Sequence, residues 1–312
     1  MTPDMRGWHL FTHAGCMDGS ASAILFMHAG GMEKNISFVP AGQVDEYIVD
    51  SPAWNDTSKE LIFVDIAPTS EETAQALCGR RAIVIDHHIT SKKFAGYPGF
   101  NIDVENKACG SENFRRWLVA GGLTKFERPA FKRFTTLIDD HDRWQMKIPF
   151  SIELPRLFSF VGQQNFTERF LNIEDRFYTD KLSYWSEFES EMMDILRDEQ
   201  ARRFEAVIGR FQVMTREHNG KTFNVGYVIS GEINCSELLN TYLNKNPDVD
   251  VACQLNPDLN KVSLRSNGKI NVSEWAKVFG GGGHKDASGH YLPDELVRKV
   301  ADLIHDQDVR RG

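Results

Sequence analysis

The chain has 312 residues, of which 44 are acidic and 36 are Lys or Arg, giving a formal net charge of −8. This acidic balance argues against binding to long duplex DNA, which depends on many contacts between basic side chains and phosphates. The hydrophobic content of 41% is ordinary for a soluble globular protein, and the length is sufficient for two domains.

The five cysteines are scattered and form no Cys-x-x-Cys pair, so neither a zinc ribbon nor a thioredoxin-like motif is indicated. Their odd number and wide spacing favour a reducing compartment over a disulfide framework. The N-terminus lacks a secretory signal pattern, and no apolar run approaches the ~18 residues that a membrane span needs. We therefore expect a cytoplasmic protein that does not insert into a membrane.

In the first half of the chain, apolar segments of strand length alternate with segments of helical composition. Strands are predicted at 8–12, 36–39, 61–65 and 82–86, and helices at 21–29, 70–77, 110–120 and 129–138. Such alternation is typical of a parallel α/β sheet.

Side chains that can bind metals or phosphates follow several of these segments. A single Asp at a strand end more often caps a turn or a helix than it forms a site. The joint pattern indicates a site, because parallel strands bring their carboxyl ends to one edge of the sheet. Carboxylates with imidazoles suit Mn²⁺, Zn²⁺, Mg²⁺ or Fe²⁺, and a pair of such ions is the usual clamp for phosphoester hydrolysis. The clusters are His13 with Asp18; Asp65; Asp86 with His87 and His88; and Asp139, Asp140, His141 and Asp142.

A long helical segment follows, from about 180 to 211, and it divides the chain. Apolar residues recur along it with the helical period, but the stretch from 197 to 203 is almost entirely polar. A helix with an interrupted apolar stripe can pack on a different domain at each end. We therefore predict that this segment connects two domains.

The second half is predicted to be a smaller α/β domain, with strands at 224–229, 249–255 and 261–265 and helices at 234–243 and 272–279. Four glycines at 280–283 precede His284, and their exposed N–H groups could bind an anion. They do not form a Walker A loop, which requires Gly-Lys-Ser/Thr. Arg265 and Ser266 end the preceding strand, and Arg suits bidentate contact with phosphate. A flexible linker and an isolated surface Arg are the alternatives.

These motifs resemble those of the DHH/DHHA1-family phosphoesterases, over nearly the whole chain. Asp86-His87-His88 matches the motif that names the family, Cys16-Met17-Asp18-Gly19 resembles motif I, Val64-Asp65 resembles motif II, and the region of Asp140 resembles motif IV. Gly280 to His284, followed by Ala287-Ser288-Gly289, is similar to the glycine-rich signature of the DHHA1 domain.

The resemblance implies an α/β fold in which a parallel-sheet DHH domain is joined by a long helix to a smaller α/β DHHA1 domain. We predict the catalytic domain at 1–180, the helical connector at 181–215 and the substrate-binding domain at 216–312.

The resemblance also implies roles for individual residues. Asp65 would bridge two metal ions and His87 would bind one, with His13, Asp18 and Asp140 as further ligands. Asp140 is preferred to Asp142 because relatives often place an aromatic or apolar residue four positions after the ligand, as Trp144 is here. Asp86 would orient His87, and His88 would face the phosphate and assist protonation of the leaving group. The predicted substrate-binding residues are Arg265, Ser266, Gly281, Gly282, Gly283 and His284.

Motif I departs from the commonest family pattern, Asp-x-Asp-Gly, because Cys16 stands at the first Asp position. His13 also lies one residue away from its usual spacing. One metal site would therefore have a thiolate, a water or His13 in place of a carboxylate, or Cys16 would be a structural thiol. A subset of the family that resembles oligoribonucleases has a similar Cys-x-Asp-Gly.

The implied activity is a phosphodiesterase that cleaves short single-stranded oligonucleotides or linear dinucleotides, such as pGpG, to mononucleotides by a water activated between two metal ions. The expected cofactor is two Mn²⁺ ions, with other divalent metals as alternatives. A phosphatase or pyrophosphatase for a small phosphate compound is the first alternative, and a non-catalytic nucleotide sensor is the second. A homodimer is possible, but the sequence does not determine the oligomeric state.

Overall fold

The computed structural model describes residues 4–40, 44–105, 108–177, 187–218, 220–232 and 234–292. Contacts between Cα atoms divide the chain into two compact units, 1–197 and 198–312. No helix in the described ranges is long and apolar enough to cross a membrane.

The first unit is built on a five-stranded sheet of order β2-β1-β3-β4-β5, in which every strand pair is parallel. Its strands are β1 (Trp8–His13), β2 (Ile36–Val39), β3 (Glu60–Val64), β4 (Ala82–Asp86) and β5 (Phe100–Ile102). The four predicted strands are therefore present, and β5 is an addition.

The helices of the first unit cover both faces of this sheet. They are α1 (Met17–His28), α2 (Val44–Val49), α3 (Pro52–Asn55), α4 (Glu71–Cys78), α5 (Gly110–Ala120), α6 (Pro129–Asp142), α7 (Pro149–Phe170) and α8 (Ile173–Arg176). Leu10, Ile62 and Ile85 pack against α1, α5 and α6 on one face, while Phe11 and Phe63 pack towards α2 and α4 on the other. This alternation explains why the strands read as continuous apolar runs: both sides of each strand are buried.

The helix α9 (Glu187–Ile208) lies within the predicted connector, 181–215, and the boundary between the two units falls within this helix. The last predicted residues, 212–215, belong to a strand (Gln212–His218) instead. The predicted apolar positions 182 and 185 lie outside the described residues. The prediction of the apolar stripe is wrong at Phe188 and Ile195, which are 69% and 65% exposed. Glu189 is buried instead and pairs with Arg169 of α7, which turns a different face of the helix inwards.

The second unit contains a six-stranded mixed sheet of order β10-β11-β9-β8-β7-β6. Its strands are β6 (Gln212–His218), β7 (Lys221–Ile229), β8 (Val251–Asn256), β9 (Lys261–Ser266), β10 (Gly282–His284) and β11 (Ala287–Tyr291), with helices α10 (Cys235–Lys245) and α11 (Val272–Val278). Helix α10 packs on one face and α11 on the other. The predicted combination of a parallel-sheet domain and a smaller α/β domain is confirmed.

Candidate functional site

The predicted clusters meet at the carboxyl edge of the first sheet. His13 is the last residue of β1, Asp65 directly follows β3, and Asp86 ends β4 and is followed by His87 and His88. Parallel strands of similar length place these positions side by side, as the strand register shows: Thr12 lies opposite Val64, and Val64 lies opposite Ile85.

Asp65 and His87 form the centre of the cluster. The Nε2 atom of His87 lies 3.2 Å from Oδ1 of Asp65, and the Nδ1 atom of His13 lies 3.8 Å from Oδ2 of Asp65. Asp65 has a φ of 62°, a left-handed conformation that Asp tolerates better than most residues, and its side chain is 1% exposed. The backbone therefore turns sharply after β3 and keeps this carboxylate at the sheet edge.

Asp18 lies in the first turn of α1, after Cys16 as the N-cap. Its two carboxylate oxygens accept hydrogen bonds from the backbone N–H groups of Gly110 (2.7 Å) and Ser111 (2.9 Å), at the start of α5. A helix N-terminus favours a nearby negative charge, so α5 holds this carboxylate in place. The Oδ2 atom of Asp18 lies 3.9 Å from Nε2 of His87.

Gly110 is required for this arrangement. A Cβ atom at this position would lie 2.7 Å from Cβ and 2.8 Å from Cα of Asp65, which is closer than atoms can approach. Only glycine lets α5 reach both Asp18 and Asp65.

The structure corrects the preference for Asp140. Helix α6 continues to Asp142, so the two side chains are separated by about 200° around the helix axis. The Oδ2 atom of Asp140 faces away from the cluster and accepts hydrogen bonds from Lys147 N, Ile148 N and Ser151 Oγ. The Oδ2 atom of Asp142 lies 3.5 Å from Nε2 of His87 instead.

Among the described residues, the donor atoms form three groups that could hold a metal ion. Two contain three residues each: His13, Cys16 and Asp65, and Asp18, His87 and Asp142. The third contains Asp65, Asp86, His87 and His88, and within each group all ligand atoms lie within 4.8 Å of one another. The Oδ2 atoms of Asp65 and Asp142 are buried and have no hydrogen-bond partner among the described residues. Buried carboxylate oxygens without partners are costly, and a divalent cation would satisfy them. The residues present therefore fit a divalent metal ion.

The electrostatics of this cluster also indicate a site made for a cation. Burial, together with the charge of Asp18, raises the pKa of Asp65 to about 8, although the hydrogen bond with His87 opposes this. Burial alone would lower the pKa of His87, but its hydrogen bond with Asp65 and the charge of Asp142 raise it to about 10. Without a cation, burial and the charge of Asp18 thus favour the protonated form of Asp65.

The structure also corrects the role predicted for Asp86, which was expected to orient His87. Asp86 instead forms a hydrogen bond with His88. The Nδ1 atom of His88 lies 2.7 Å from Oδ1 of Asp86. Burial lowers the pKa of His88, but the hydrogen bond and the charge of Asp86 outweigh it and raise the pKa to about 9. The His88 side chain is 39% exposed, so its ring is partly accessible to solvent beside the cluster.

In the second unit, the strand register aligns two of the predicted substrate-binding residues. His284 lies opposite Ala287, and Ala287 lies opposite Arg265, so all three lie in one row across β10, β11 and β9. The next residue of this row, Ala252, packs against α10. Arg265 faces the same helix, where its guanidinium donates a hydrogen bond to Ser236 Oγ.

Ser266 does not join this group, contrary to the prediction. It lies opposite Val251, which packs with α11 on the other face of the sheet. Its hydroxyl accepts hydrogen bonds from the N–H groups of Gly268 and Ile270, so it stabilises the loop after β9. Neighbouring residues of a strand face opposite sides of the sheet, which accounts for the separation from Arg265.

The glycines of the 280–283 run have different surroundings. A Cβ atom on Gly281 would lie 2.2 Å from the carbonyl oxygen of Gly289, so close strand packing by itself requires glycine there. Gly283 has a φ of 135°, and its Cβ would lie 2.5 Å from the Ala287 carbonyl oxygen. Gly282 has no neighbouring heavy atom within 4 Å of such a Cβ, so its position is open.

Sequence reasoning missed the N–H groups of Gly110 and Ser111 and the hydroxyl of Ser236. The signal for the first two is present in the sequence as Gly-Ser at the start of a predicted helix, a place where anions bind. Nothing in the sequence connects Ser236 to Arg265.

Comparisons with known proteins agree with this fold. The family model described as "DHHA1 domain" matches residues 233–307. The oligoribonuclease NrnB of Bacillus subtilis (strain 168) is 26% identical over 317 residues, covering 97% of this chain and 77% of that protein.

Two solved structures are also similar. The DHH domain of a protein described as a member of a family of ribosomal proteins superposes with a TM-score of 0.54 and 12% identity, covering 96% of this chain and 87% of that one. RecJ of Thermus thermophilus, in complex with Mn²⁺, gives a TM-score of 0.52 and 16% identity, covering 98% of this chain and 53% of that one. At these identities, both show the fold alone.

Proposed function

We propose that this chain is a member of the DHH/DHHA1 phosphoesterases and a divalent-metal-dependent phosphodiesterase that hydrolyses short oligonucleotides or linear dinucleotides to mononucleotides. The observation that carries the proposal is the cluster of Asp18, Asp65, His87 and Asp142, in which the Oδ2 atoms of Asp65 and Asp142 have no hydrogen-bond partner among the described residues.

Two metal ions, which we propose to be Mn²⁺, would activate a water molecule and polarise the phosphoryl group. His13, Asp18, Asp65, His87 and Asp142 would hold them. The protein keeps these groups rigid: α5 fixes Asp18, and the left-handed turn at Asp65 fixes the central carboxylate. Rigid placement lowers the reorganisation needed in the transition state.

His88 is proposed to protonate the leaving oxygen. Its hydrogen bond to Asp86 keeps the ring protonated near neutral pH, and its partial exposure leaves Nε2 available to a substrate. Asp86 therefore acts through His88, as a positioning residue.

Arg265, Gly282 and His284 are proposed to bind a phosphate group of the substrate. Arg265 and His284 share a row of the second sheet, and Gly282 lies two residues before His284 on β10. A guanidinium with a ring nitrogen and backbone N–H groups is a suitable set of donors for a terminal phosphate. Ser266, Gly281 and Gly283 support the strands around them.

The proposed class of substrate rests on the net charge of the chain and on its similarity to a relative. A net charge of −8 disfavours long polyanions, which favours a short substrate bound by a few local contacts. The Bacillus subtilis relative is named an oligoribonuclease and is similar over nearly the whole chain. The free cysteines fit a cytoplasmic location.

The test is a product time course with Mn²⁺ on 5′-phosphorylated dinucleotides, longer oligonucleotides, pyrophosphate and polyphosphate. We expect mononucleotides from the dinucleotide, slower cleavage of longer strands and no phosphate release from the two inorganic substrates. The variant His87→Ala should be inactive on every substrate. Rapid release of phosphate from pyrophosphate, without dinucleotide cleavage, would instead establish a pyrophosphatase.

A further inference from the structure

We propose that Cys16 is a metal ligand and that the two metal positions are chemically different. His13, Cys16 and Asp65 form a nitrogen–sulfur–oxygen position for a thiophilic cation such as Zn²⁺, Co²⁺ or Fe²⁺. Asp18, His87 and Asp142 form a nitrogen–oxygen position for Mn²⁺ or Mg²⁺. This inference rests on the metal-dependent activity proposed above.

The geometry around Cys16 is that of a site. Cys16 is the N-cap of α1, with extended backbone angles (φ −118°, ψ 137°), and it lies between β1 and the first turn of the helix. Its Sγ atom, one nitrogen of His13 and one oxygen of Asp65 lie within 4.8 Å of one another. Ligands on one tetrahedral zinc ion are about 3.5 Å apart, given metal–ligand bonds of about 2.0–2.3 Å. Small side-chain rotations would therefore bring the three donor atoms onto one ion.

A second observation points to a cation at the same place. The Oδ2 atom of Asp65 is buried without a hydrogen-bond partner in the described part of the chain. It lies on the side of His13, 3.8 Å from Nδ1, whereas Oδ1 lies on the side of His87. The two oxygens of Asp65 thus face the two different positions, as a bridging carboxylate requires.

Binding would convert the thiol into a thiolate. The S–H bond breaks, the proton leaves to solvent, and the sulfur lone pair forms the bond to the cation, so charge and atoms balance. Thiolate sulfur selects thiophilic metals, while carboxylate oxygen suits Mn²⁺ and Mg²⁺. The donor sets therefore predict a mixed-metal centre.

The experiment is an anaerobic titration of the full chain with Co²⁺, followed by absorbance. A thiolate bound to Co²⁺ gives a sulfur-to-cobalt charge-transfer band in the near ultraviolet. We expect this band in the wild type, saturating at about one equivalent because only one position contains sulfur. The band should disappear in Cys16→Ser and persist in Cys78→Ser, a matched change of a thiol in α4. Circular dichroism verifies that each variant is folded.

The second measurement is the affinity of the wild type and the Cys16 variants for Zn²⁺ and Mn²⁺, determined by competition with a chelator. Cys16→Ser should weaken Zn²⁺ binding at one position by about tenfold or more, as loss of a ligand requires. Cys16→Asp should lack the charge-transfer band and should bind Mn²⁺ more tightly than the wild type at that position, because it supplies a carboxylate.

Two results would overturn the inference: a wild type that binds two Co²⁺ ions without the band, or a band that survives in Cys16→Ser. A wild type without the band rejects the inference even if Cys16→Ser does not fold, and Cys16→Asp then serves as the variant in which the band must disappear. Hydrolysis of dinucleotides without the charge-transfer band would reject Cys16 as a ligand but support the proposed phosphodiesterase activity. The charge-transfer band without hydrolysis would support Cys16 as a ligand but reject that activity.

Discussion

The Nε2 atom of His87 lies 3.2 Å from Oδ1 of Asp65, and both groups are almost fully buried. This contact joins a carboxyl whose pKa is raised to about 8 to an imidazole whose pKa is raised to about 10. Near pH 7 without a metal, the pair therefore retains protons that a cation must displace.

Metal affinity should consequently rise with pH. Protons compete with the metal for Asp65 and His87 below their pKa values, so each proton released adds about tenfold in affinity per pH unit. Titration calorimetry in two buffers of different ionisation enthalpy measures the number of protons released. We expect at least one proton near pH 7; identical heats in the two buffers would contradict the prediction.

Replacement of Asp142 and of Asp140 should have separate effects. Asp142→Ala removes a carboxylate oxygen that has no hydrogen-bond partner in the described residues, so metal binding and activity should be lost while the fold stays stable. Asp140→Ala removes the acceptor for Lys147 N, Ile148 N and Ser151 Oγ. It should lower the free energy of unfolding by about 1–3 kcal/mol.

Urea denaturation and metal titration of both variants measure these effects. The opposite pattern, in which Asp140→Ala loses metal at unchanged stability, would restore Asp140 as the ligand.

Gly110→Ala should impair the site without removing any ligand. The added methyl group would collide with the backbone of Asp65 and displace the N–H groups that hold Asp18. We expect a loss of stability of about 1–3 kcal/mol and a decrease in metal affinity of about tenfold or more. Gly79→Ala is the control, because its Cβ would make an ordinary contact of 3.6 Å with the Ala76 carbonyl oxygen. Unchanged metal affinity in Gly110→Ala would show that α5 does not position Asp18.

Arg265→Lys should affect substrate binding more than turnover. Lysine cannot reproduce the two-pronged contact of a guanidinium with phosphate, so KM should rise about tenfold, the equivalent of about 1.4 kcal/mol, at similar kcat. Arg216→Lys, at an exposed position of β6 in the same unit, should behave as the wild type. Steady-state kinetics on a 5′-phosphorylated dinucleotide gives both constants. A fall in kcat with unchanged KM would assign Arg265 a different role.

Much of the fold could be predicted because buried parallel strands and amphipathic helices leave clear patterns. Helix α5 was predicted with its observed bounds, and α6 with its observed start. Strand β5 has only three residues, too few for a pattern to develop. Helix α7 contains Pro155 and a non-helical Gly162, both of which suggest a break in a helix, so the sequence gives no continuous signal there.

The sequence could predict those site residues that belong to a local motif at the end of a strand. Asp65 and His87 directly follow strands, and their place at the sheet edge results from the register alone. The choice between Asp140 and Asp142 depends on how far α6 continues, and helix ends are the least predictable feature of a sequence. The contact of Asp86 with His88 depends on side-chain rotamers, which no sequence pattern specifies.

The hydrogen bond from Gly110 to Asp18 spans 92 residues, and Asp142 lies further still along the chain. A nascent polypeptide emerging from the ribosome would therefore expose His13, Cys16 and Asp18 long before their partners exist. The complete centre can form only after α6 has been synthesised and has docked. Binding of the proposed metal ions would thus be a late event in the biogenesis of the protein, and a truncated product that ends before α6 would carry the Asp-His-His motif but not the complete set of ligands.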